Sequence, residues 1–257
     1  MFAGIDVGTE SIKVVVMDER KPLFSKTEVT EESGLMASQR LMEEARKVLS
    51  LNPANTMKVV ATGIGKKTVS FADRQISEQI CHARGAHWLF PSARTVLDIG
   101  ASGSRAMKLS GEGKLLDFAL NSKCASGTGA FLETMTKLLE TSFEEMSTLA
   151  AGVAEGTKIS NYCAVFAESE VISKIHAGES RASIAAGIYE AVVDRLMEGL
   201  RQLGIRPDLI VTGGVAKNAG ILRALEKRIK LEGKIPGDPQ SVGALGAALI
   251  AREMAKR

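Results

Sequence analysis

The chain has 257 residues, of which 45% are hydrophobic and 25% are charged, and its formal net charge is +3. These values are ordinary for a globular protein, and without a basic tail they give no indication of a nucleic-acid partner. The sequence shows neither the roughly 18-residue apolar run of a membrane span nor a secretion signal, so we expect a cytoplasmic protein with no membrane partner. Three cysteines are too few for a disulfide scaffold, which agrees with a reducing compartment.

The first part of the chain alternates short apolar or β-branched runs with turns, and then shows apolar residues at helical spacing. The runs predict a meander of three strands, which needs a cover on one face, and the helical spacing predicts that cover. The predicted elements are three strands, the covering helix, a fourth strand and a second helix, over residues 2–7, 12–17, 23–29, 36–49, 57–61 and 70–83.

The opening pattern recurs later in the chain. Ile5-Asp6-Val7-Gly8 has a counterpart in Leu97-Asp98-Ile99-Gly100, again between predicted strands. We therefore predict an internal duplication and an α/β fold with two RNase H-like halves and a nucleotide cleft, the first subdomain over 1–92 and the second over 93–257. The second half is predicted to contain strands over 95–97, 105–109, 115–120 and 209–212 and helices over 129–139, 142–151, 166–177, 181–203 and 242–254.

Three glycine-containing turns have the residue types that bind nucleotide phosphates. Glycine lets the backbone approach a phosphate, and nearby hydroxyl and ammonium groups add donors. Asp6 and Asp98 suit Mg²⁺ held through water and are the candidate catalytic residues. Each turn alone is equally well explained as an ordinary tight turn, but the three in this order resemble the actin, sugar-kinase and Hsp70 ATPase fold. The candidate nucleotide-binding residues are Gly8, Thr9, Glu10, Ser11, Lys13, Gly100, Ala101, Ser102, Gly127, Thr128, Gly129, Gly213, Gly214 and Val215.

Two cysteines lie where helices are predicted to begin. They are found in Lys123-Cys-Ala-Ser-Gly-Thr-Gly129 and in Cys163-Ala-Val-Phe-Ala-Glu-Ser-Glu170. A helix N-terminus stabilises a thiolate, which is the form that binds metal. The simpler interpretation, a small buried apolar residue, fits Cys81 within its predicted helix. Two thiolates are half of the ligands of a [4Fe–4S] cluster, and a dimer would supply four, whereas a zinc site would need histidines whose spacing is unconvincing.

At this point the chain resembles the BadF/BadG/BcrA/BcrD ATPase family over essentially its whole length. The resemblance is carried by residues 4–8, 61–63, 97–100, 123–129, 163–170, 212–216 and 243–248. It implies an actin-like ATPase dimer that binds ATP or ADP with Mg²⁺ and shares one [4Fe–4S] cluster between subunits, with Cys124 and Cys163 as ligands. It also implies ferredoxin or flavodoxin as the electron donor, and catalytic reductase or dehydratase subunits as the partners that bind the acyl-CoA substrate.

One segment departs from the pattern of the family's dehydratase activators. They usually have Asp-Ile-Gly-Gly-Gln-Asp-Ser-Lys, whereas this chain has Asp98-Ile-Gly-Ala-Ser-Gly-Ser-Arg105. This variant, like His82-Ala-Arg-Gly-Ala86, resembles the D/Q-type subunits of benzoyl-CoA reductases. The expectation is therefore an ATP-hydrolysing, electron-transferring D/Q-type subunit paired with a homologous ATPase subunit in a heterodimer.

Three other functions stay open at this stage. The first is a stand-alone activator of a 2-hydroxyacyl-CoA dehydratase, which would form a homodimer. The second is a small-molecule kinase of the same fold, which would not need the cysteines. The third is a nucleotide-dependent scaffold, supported by the altered segment alone. The roles of Glu168 and Glu170 also stay open between residues that support the site and solvated helix acids.

Overall fold

The computed structural model describes residues 1–29, 33–52, 57–121, 127–160 and 163–256. The chain divides into two compact units, the first formed by Met1–Arg94, Leu109–Leu116 and Pro236–Arg257 and the second by Thr95–Lys108 and Asp117–Ile235. Among the described residues, no helix is both long enough and apolar enough to cross a membrane.

The described residues form ten strands and eight α-helices. The strands are β1 (Phe2–Val7), β2 (Ser11–Met17), β3 (Pro22–Val29), β4 (Lys58–Thr62), β5 (Arg74–Gln75), β6 (Thr95–Ile99), β7 (Ser104–Leu109), β8 (Leu115–Asn121), β9 (Leu209–Thr212) and β10 (Gly233–Lys234). The helices are α1 (Gly34–Val48), α2 (Glu78–Leu89), α3 (Gly129–Leu138), α4 (Phe143–Ala151), α5 (Ala164–His176), α6 (Arg181–Leu203), α7 (Ala219–Ile229) and α8 (Val242–Met254).

The first unit is a five-stranded sheet, ordered β3-β2-β1-β4-β5, with helices on both faces. Helix α1 begins where the Ser33 side chain accepts a hydrogen bond from the Met36 N–H, and it packs on one face through residues such as Leu41. Burying a leucine side chain in this way stabilises a protein by about 1.5–3 kcal/mol. Helix α8 covers the other face through small residues such as Ala244. Both faces of β1 are therefore buried, which holds Asp6 near the end of that strand in a packed environment.

The second unit is another five-stranded sheet, ordered β10-β9-β6-β7-β8. Its core centres on the 23-residue helix α6, whose buried face includes Ile188, Tyr189 and Val192. Helices α3, α4, α5 and α7 contribute further buried residues to the same core. Strand β6, which carries Asp98, is buried along its whole length, as β1 is in the first unit.

The strand registers confirm the predicted duplication. In the first sheet Asp6 of β1 lies opposite Lys13 of antiparallel β2 and opposite Thr62 of parallel β4. In the second sheet Asp98 of β6 lies opposite Arg105 of antiparallel β7 and opposite Thr212 of parallel β9. Each unit therefore presents an aspartate, a basic residue and a threonine at equivalent positions, and both threonines are followed by a glycine.

Two predicted helices differ from the structure. The helix predicted over 70–83 begins only at Glu78 and continues to Leu89, because Arg74 and Gln75 pair as an extended strand with β4. Helix α7 was not predicted. Its signal is present in the sequence, since the Asn218 side chain accepts hydrogen bonds from the N–H groups of Gly220 and Ile221 and so caps the helix.

The C-terminal helix belongs to a different unit from the one that the predicted boundary at residue 93 implies. Residues from Pro236 onward lie with the first unit, although the second subdomain was predicted to extend to 257. The physical reason is the apolar, small-residue face of α8, which packs against β1, β2 and β4 and forms a core with Phe2, Val15 and Val60. Chain order alone does not reveal this pairing.

Candidate functional site

The first phosphate corner is the turn between β1 and β2. The Gly8 N–H donates to the Ser11 carbonyl over 3.0 Å, which closes the turn and leaves Thr9 and Glu10 exposed at its tip. The Lys13 ammonium donates to the same carbonyl over 3.3 Å. The structure therefore brings the predicted residues of this corner together at the end of β1.

Glycines surround the Asp6 carboxylate, which is only 6% exposed. Gly63 has a φ of +91°, a conformation that favours glycine, and a Cβ built on it would lie 2.6 Å from Asp6 Oδ1. A Cβ built on Gly243 would lie 3.0 Å from Asp6 Oδ2 and 2.9 Å from His82 Nε2. Among the described residues Asp6 forms no salt bridge, so this space lets other partners, such as the water shell of Mg²⁺, approach its oxygens.

Replacing Gly243 with alanine tests this space. We expect the added methyl group to displace the Asp6 carboxylate or the His82 ring, because real Cβ atoms do not approach other atoms within 3.0 Å. The Mg²⁺ concentration for half-maximal ATPase activity should rise about tenfold, the size expected when support for a metal ligand is disturbed. Gly152→Ala is the matched control, since nothing lies within 4 Å of that position. An unchanged Mg²⁺ dependence in both variants would contradict the assignment.

The second phosphate corner has the same backbone but a paired carboxylate. The Gly100 N–H donates to the Gly103 carbonyl over 2.8 Å. Asp98, 3% exposed, accepts a 2.6 Å charge-assisted hydrogen bond from Arg105 Nη1 on Oδ2 and a 3.4 Å bond from the Thr212 hydroxyl on Oδ1. Gly213, at a φ of +88°, repeats the position of Gly63 beside its aspartate. The two corners are thus alike in geometry and different in charge.

The second unit also brings the other predicted nucleotide residues together. The first N–H groups of α3, from Gly129 and Ala130, each donate over 3.0 Å to the carbonyls of Gly100 and Ala101. A Cβ on Gly129 would lie 3.1 Å from the Val215 side chain. Around this cluster Thr128 and Val215 are buried, whereas Ser102 and Gly214 are exposed. The start of α3 is therefore fastened to the second phosphate corner.

Cys163 is the N-cap residue of α5. Its backbone is extended (φ −146°, ψ 132°), its carbonyl accepts the Ala167 N–H over 3.0 Å, and its thiol is half-buried. Val165 and Phe166 in the following turn are 65% and 70% exposed. The predicted helix start is thus confirmed two residues earlier than 166, directly at the cysteine. The other predicted ligand, Cys124, lies outside the described residues.

Cys81 has the opposite character. It is fully buried in α2, and burial raises the pKa of its thiol to about 12. This agrees with the prediction of a small apolar residue and excludes a reactive thiolate near neutral pH. Within the described ranges, no group of three or more histidine, cysteine, aspartate or glutamate side chains forms a metal site.

The raised pKa of Cys81 predicts a loss of stability in alkali. The unfolded thiol, with a pKa near 9.0, ionises at a lower pH than the folded thiol, so the unfolded state binds fewer protons between pH 9 and 12. The free energy of unfolding should therefore fall with rising pH in this range, by about 2 kcal/mol at a pH of about 10.5. Urea unfolding of wild type and Cys81→Ala at several pH values isolates this thiol. Parallel curves for the two proteins would contradict the prediction.

Comparison with known proteins agrees with this geometry. The model of the BadF/BadG/BcrA/BcrD ATPase family matches residues 3–251. The activator of lactoyl-CoA dehydratase from Anaerotignum propionicum is 42% identical over 254 residues, which cover 99% of this chain and 98% of that protein.

The chain belongs to the BadF/BadG/BcrA/BcrD ATPase family. The structure of the activator of 2-hydroxyisocaproyl-CoA dehydratase from Clostridium difficile, with bound ADPNP, is 38% identical, has a TM-score of 0.89, and covers 100% of this chain and 96% of its own. The D-type subunit of benzoyl-CoA reductase from Thauera aromatica is 35% identical over 263 residues, covering 96% and 91%. Sugar kinases at 14% identity, with TM-scores of 0.54 and 0.53, share the fold alone. The predicted family and fold are confirmed, whereas the D/Q-type expectation is not, because the more similar relatives are dehydratase activators.

Two features of the site were not predicted. One is the pairing of Arg105 with Asp98, although the spacing of seven residues is the same as that between Lys13 and Asp6 and could have revealed it. The other is the approach of His82 and Gly243 to Asp6, which depends on how α2 and α8 pack. No local sequence signal reports that contact.

Proposed function

We propose that this ATPase is an activator of a 2-hydroxyacyl-CoA dehydratase that transfers low-potential electrons from ferredoxin or flavodoxin. The observation that carries the proposal is the half-buried Cys163 at the N-terminus of α5, in a chain that also holds two phosphate corners. A kinase or a simple ATPase needs the corners but has no use for this thiol. The similarity to the lactoyl-CoA dehydratase activator over almost the whole of both chains supports the same assignment.

The residues near Cys163 fit an iron–sulfur cluster. The free N–H groups and partial positive charge of a 13-residue helix favour a thiolate at its N-cap. Together with Cys124 this chain offers two thiolates, so we propose that a second copy supplies the other two ligands of a [4Fe–4S] cluster. Such a cluster supplies one-electron chemistry at low potential when bound. Exposed Val165 and Phe166 beside the cysteine agree with a surface that another protein covers.

The first corner is proposed to hold Mg²⁺ and part of the ATP phosphates. Asp6 would bind the hydrated cation, and Thr9, Ser11 and Lys13 would donate to phosphate oxygens. In the second corner the Gly100 turn would approach the phosphates, while Asp98 fixes the orientation of Arg105. Residues 213–215 would contact the adenosine. An adenine nucleotide analogue in the structure of a relative supports the class of ligand.

The hydrogen bonds between α3 and the second corner supply a physical route for coupling. Gly129, five residues after Cys124, donates to the Gly100 carbonyl, and Ala130 donates to the Ala101 carbonyl. A change of this corner between ATP and ADP would therefore shift the start of α3. Coupling requires that the two nucleotide states differ in free energy at the electron-transfer end, and this link satisfies the requirement within one unit.

A D/Q-type subunit of a benzoyl-CoA reductase is the second candidate. It is favoured by the sequence of the second corner, with Ala101, Ser102 and Gly103 before Arg105, and by the 35% identity to the benzoyl-CoA reductase relative. The structure weakens this argument, because Arg105 occupies the place equivalent to Lys13 and keeps a cation in this corner. A D/Q-type subunit would need a homologous ATPase subunit to form its cluster, whereas an activator would not.

Anaerobic purification tests the proposal. The protein is purified alone and with a co-expressed A/P-type ATPase subunit, and iron, sulfide, absorbance and EPR spectra are measured. An activator gives about one [4Fe–4S] cluster per homodimer without the second subunit. A cluster that forms only in the pair supports the reductase subunit instead. A colourless protein under both conditions, with ATP-dependent phosphorylation of a small molecule, overturns both in favour of a kinase.

A further inference from the structure

The chain that leads to Cys163 is fastened to three helices. We name residues 154–160 the strap, since it contacts α5, α6 and α7. The bonds are Lys227 Nζ to the Ala154 carbonyl (2.5 Å), Gly156 N–H to Glu190 Oε1 (3.4 Å), Thr157 N–H to the Ser183 carbonyl (3.1 Å) and Ser160 N–H to Glu170 Oε2 (2.7 Å). A loop held at four points retains less freedom than an ordinary surface connection.

The last of these bonds has a particular position. Ser160 lies three residues before Cys163, and Glu170 lies in the second turn of the helix that Cys163 caps. A carboxylate that accepts a backbone N–H forms a strong, charge-assisted bond, and 2.7 Å is short for an N–H donor. The bond therefore closes the chain entering the cysteine onto the helix leaving it, so that both sides of Cys163 have a fixed reference.

A second carboxylate strengthens the strap at its middle. The Thr157 hydroxyl donates to Glu179, and this bond, together with Lys174, holds the pKa of the Glu179 carboxyl below its usual value. Thr157 is also bonded through its backbone to Ser183 at the start of α6. The strap thus approaches Ser160 from a restrained direction, and the Glu170 bond is its final attachment before the cysteine.

We propose that Glu170 is a positioning residue for Cys163, holding its thiol where it can serve as a ligand of an iron–sulfur cluster. The cluster itself rests on the proposed function, whereas the placement of the thiol does not. The competing interpretation is a solvated helix acid with no specific role. Glu168 represents that case on the same helix, because it is also half-buried but forms no hydrogen bond or ion pair within the described part of the chain.

The test compares Glu170→Ala, Glu170→Gln and Glu168→Ala with the wild type. In metal-free protein the alkylation rate of Cys163 by iodoacetamide is measured by peptide mass spectrometry, which separates it from Cys81 and Cys124. In cluster-containing protein the loss of visible absorbance to an iron chelator and the EPR spectrum are recorded. Glu170→Ala should change the alkylation rate and accelerate cluster loss by about tenfold. Glu170→Gln should stay close to wild type, because its amide oxygen still accepts the Ser160 N–H.

Each outcome decides the question. Equal rates for wild type, Glu170→Ala and Glu168→Ala overturn the proposal, and so does an equal defect in Glu170→Ala and Glu170→Gln, which would indicate that charge rather than the hydrogen bond matters. If Glu170→Ala does not fold, Glu170→Asp shortens the reach of the carboxylate by one methylene and should give a smaller change in the same direction. A wild type without a cluster overturns the proposed function, while the alkylation rates still test the placement of the thiol.

Discussion

Asp6→Asn is expected to lower the rate of ATP hydrolysis at least about 100-fold while leaving the protein folded. The Asp6 carboxylate is buried at the end of β1, and both of its oxygens face glycines that leave space beside them. Asparagine has nearly the same shape and keeps one oxygen, but it loses the negative charge that attracts a hydrated divalent cation. Charge stabilisation of this kind is worth about 2.7–4 kcal/mol when a single group is removed, which corresponds to a factor of 100 to 1,000.

Asp98→Asn is the matched comparison, because it makes the same change at the equivalent position of the other unit. Here the aspartate is already paired with Arg105 over 2.6 Å, and the arginine side chain is 17% exposed. Loss of the carboxylate leaves a largely buried guanidinium without its counter-charge, which costs about 3–5 kcal/mol. We therefore expect Asp98→Asn to lower the free energy of unfolding much more than Asp6→Asn does.

Steady-state ATPase assays over a range of Mg²⁺ concentrations, with urea unfolding of each variant, separate the two effects. The expected pattern is a folded, inactive Asp6→Asn and a destabilised Asp98→Asn. Wild-type activity of Asp6→Asn at saturating Mg²⁺ would contradict the proposed role of Asp6. Equal loss of stability in the two variants would show that the charge difference between the corners has no energetic consequence.

Much of the fold could be predicted because its signals are local. The strands that carry Asp6 and Asp98, and the turns that follow them, are marked by short apolar runs ending at glycine, and their recurrence indicated the duplication. The amphipathic pattern of α1 and the cysteine before α5 are equally local. These elements were confirmed with shifts of a few residues at their ends.

The rest depends on contacts between distant segments. The sequence around Arg105 was interpreted as a departure that weakens the second corner, yet the register of β6 and β7 places this cation opposite Asp98. Helix α8 is apolar enough to pack on either unit, and only the fit of its small residues on β1 decides between them. The approach of His82 to Asp6 follows from the same packing, so it could not be read from spacing.

Cys163→Ser is expected to abolish formation of the [4Fe–4S] cluster while leaving ATP binding largely intact. A serine hydroxyl is not deprotonated near neutral pH and is a poor ligand for iron, so the proposed dimer would lose two of its four thiolates. The serine fits the site sterically and remains a good N-cap residue for α5, so the fold should be preserved. Iron and sulfide content, the EPR signal of the reduced protein and nucleotide affinity are the measurements.

Cys81→Ala provides the control for this substitution. Cys81 is buried in α2 with a thiol that stays protonated at neutral pH, so its removal should leave the cluster content unchanged and affect stability alone. Retention of a full cluster by Cys163→Ser would overturn the assignment of this residue as a ligand. Loss of the cluster in both variants would show that general destabilisation, rather than ligation, removes it. The proposal requires the two cysteines to behave differently, because one caps a helix with its thiol accessible and the other lies in the core.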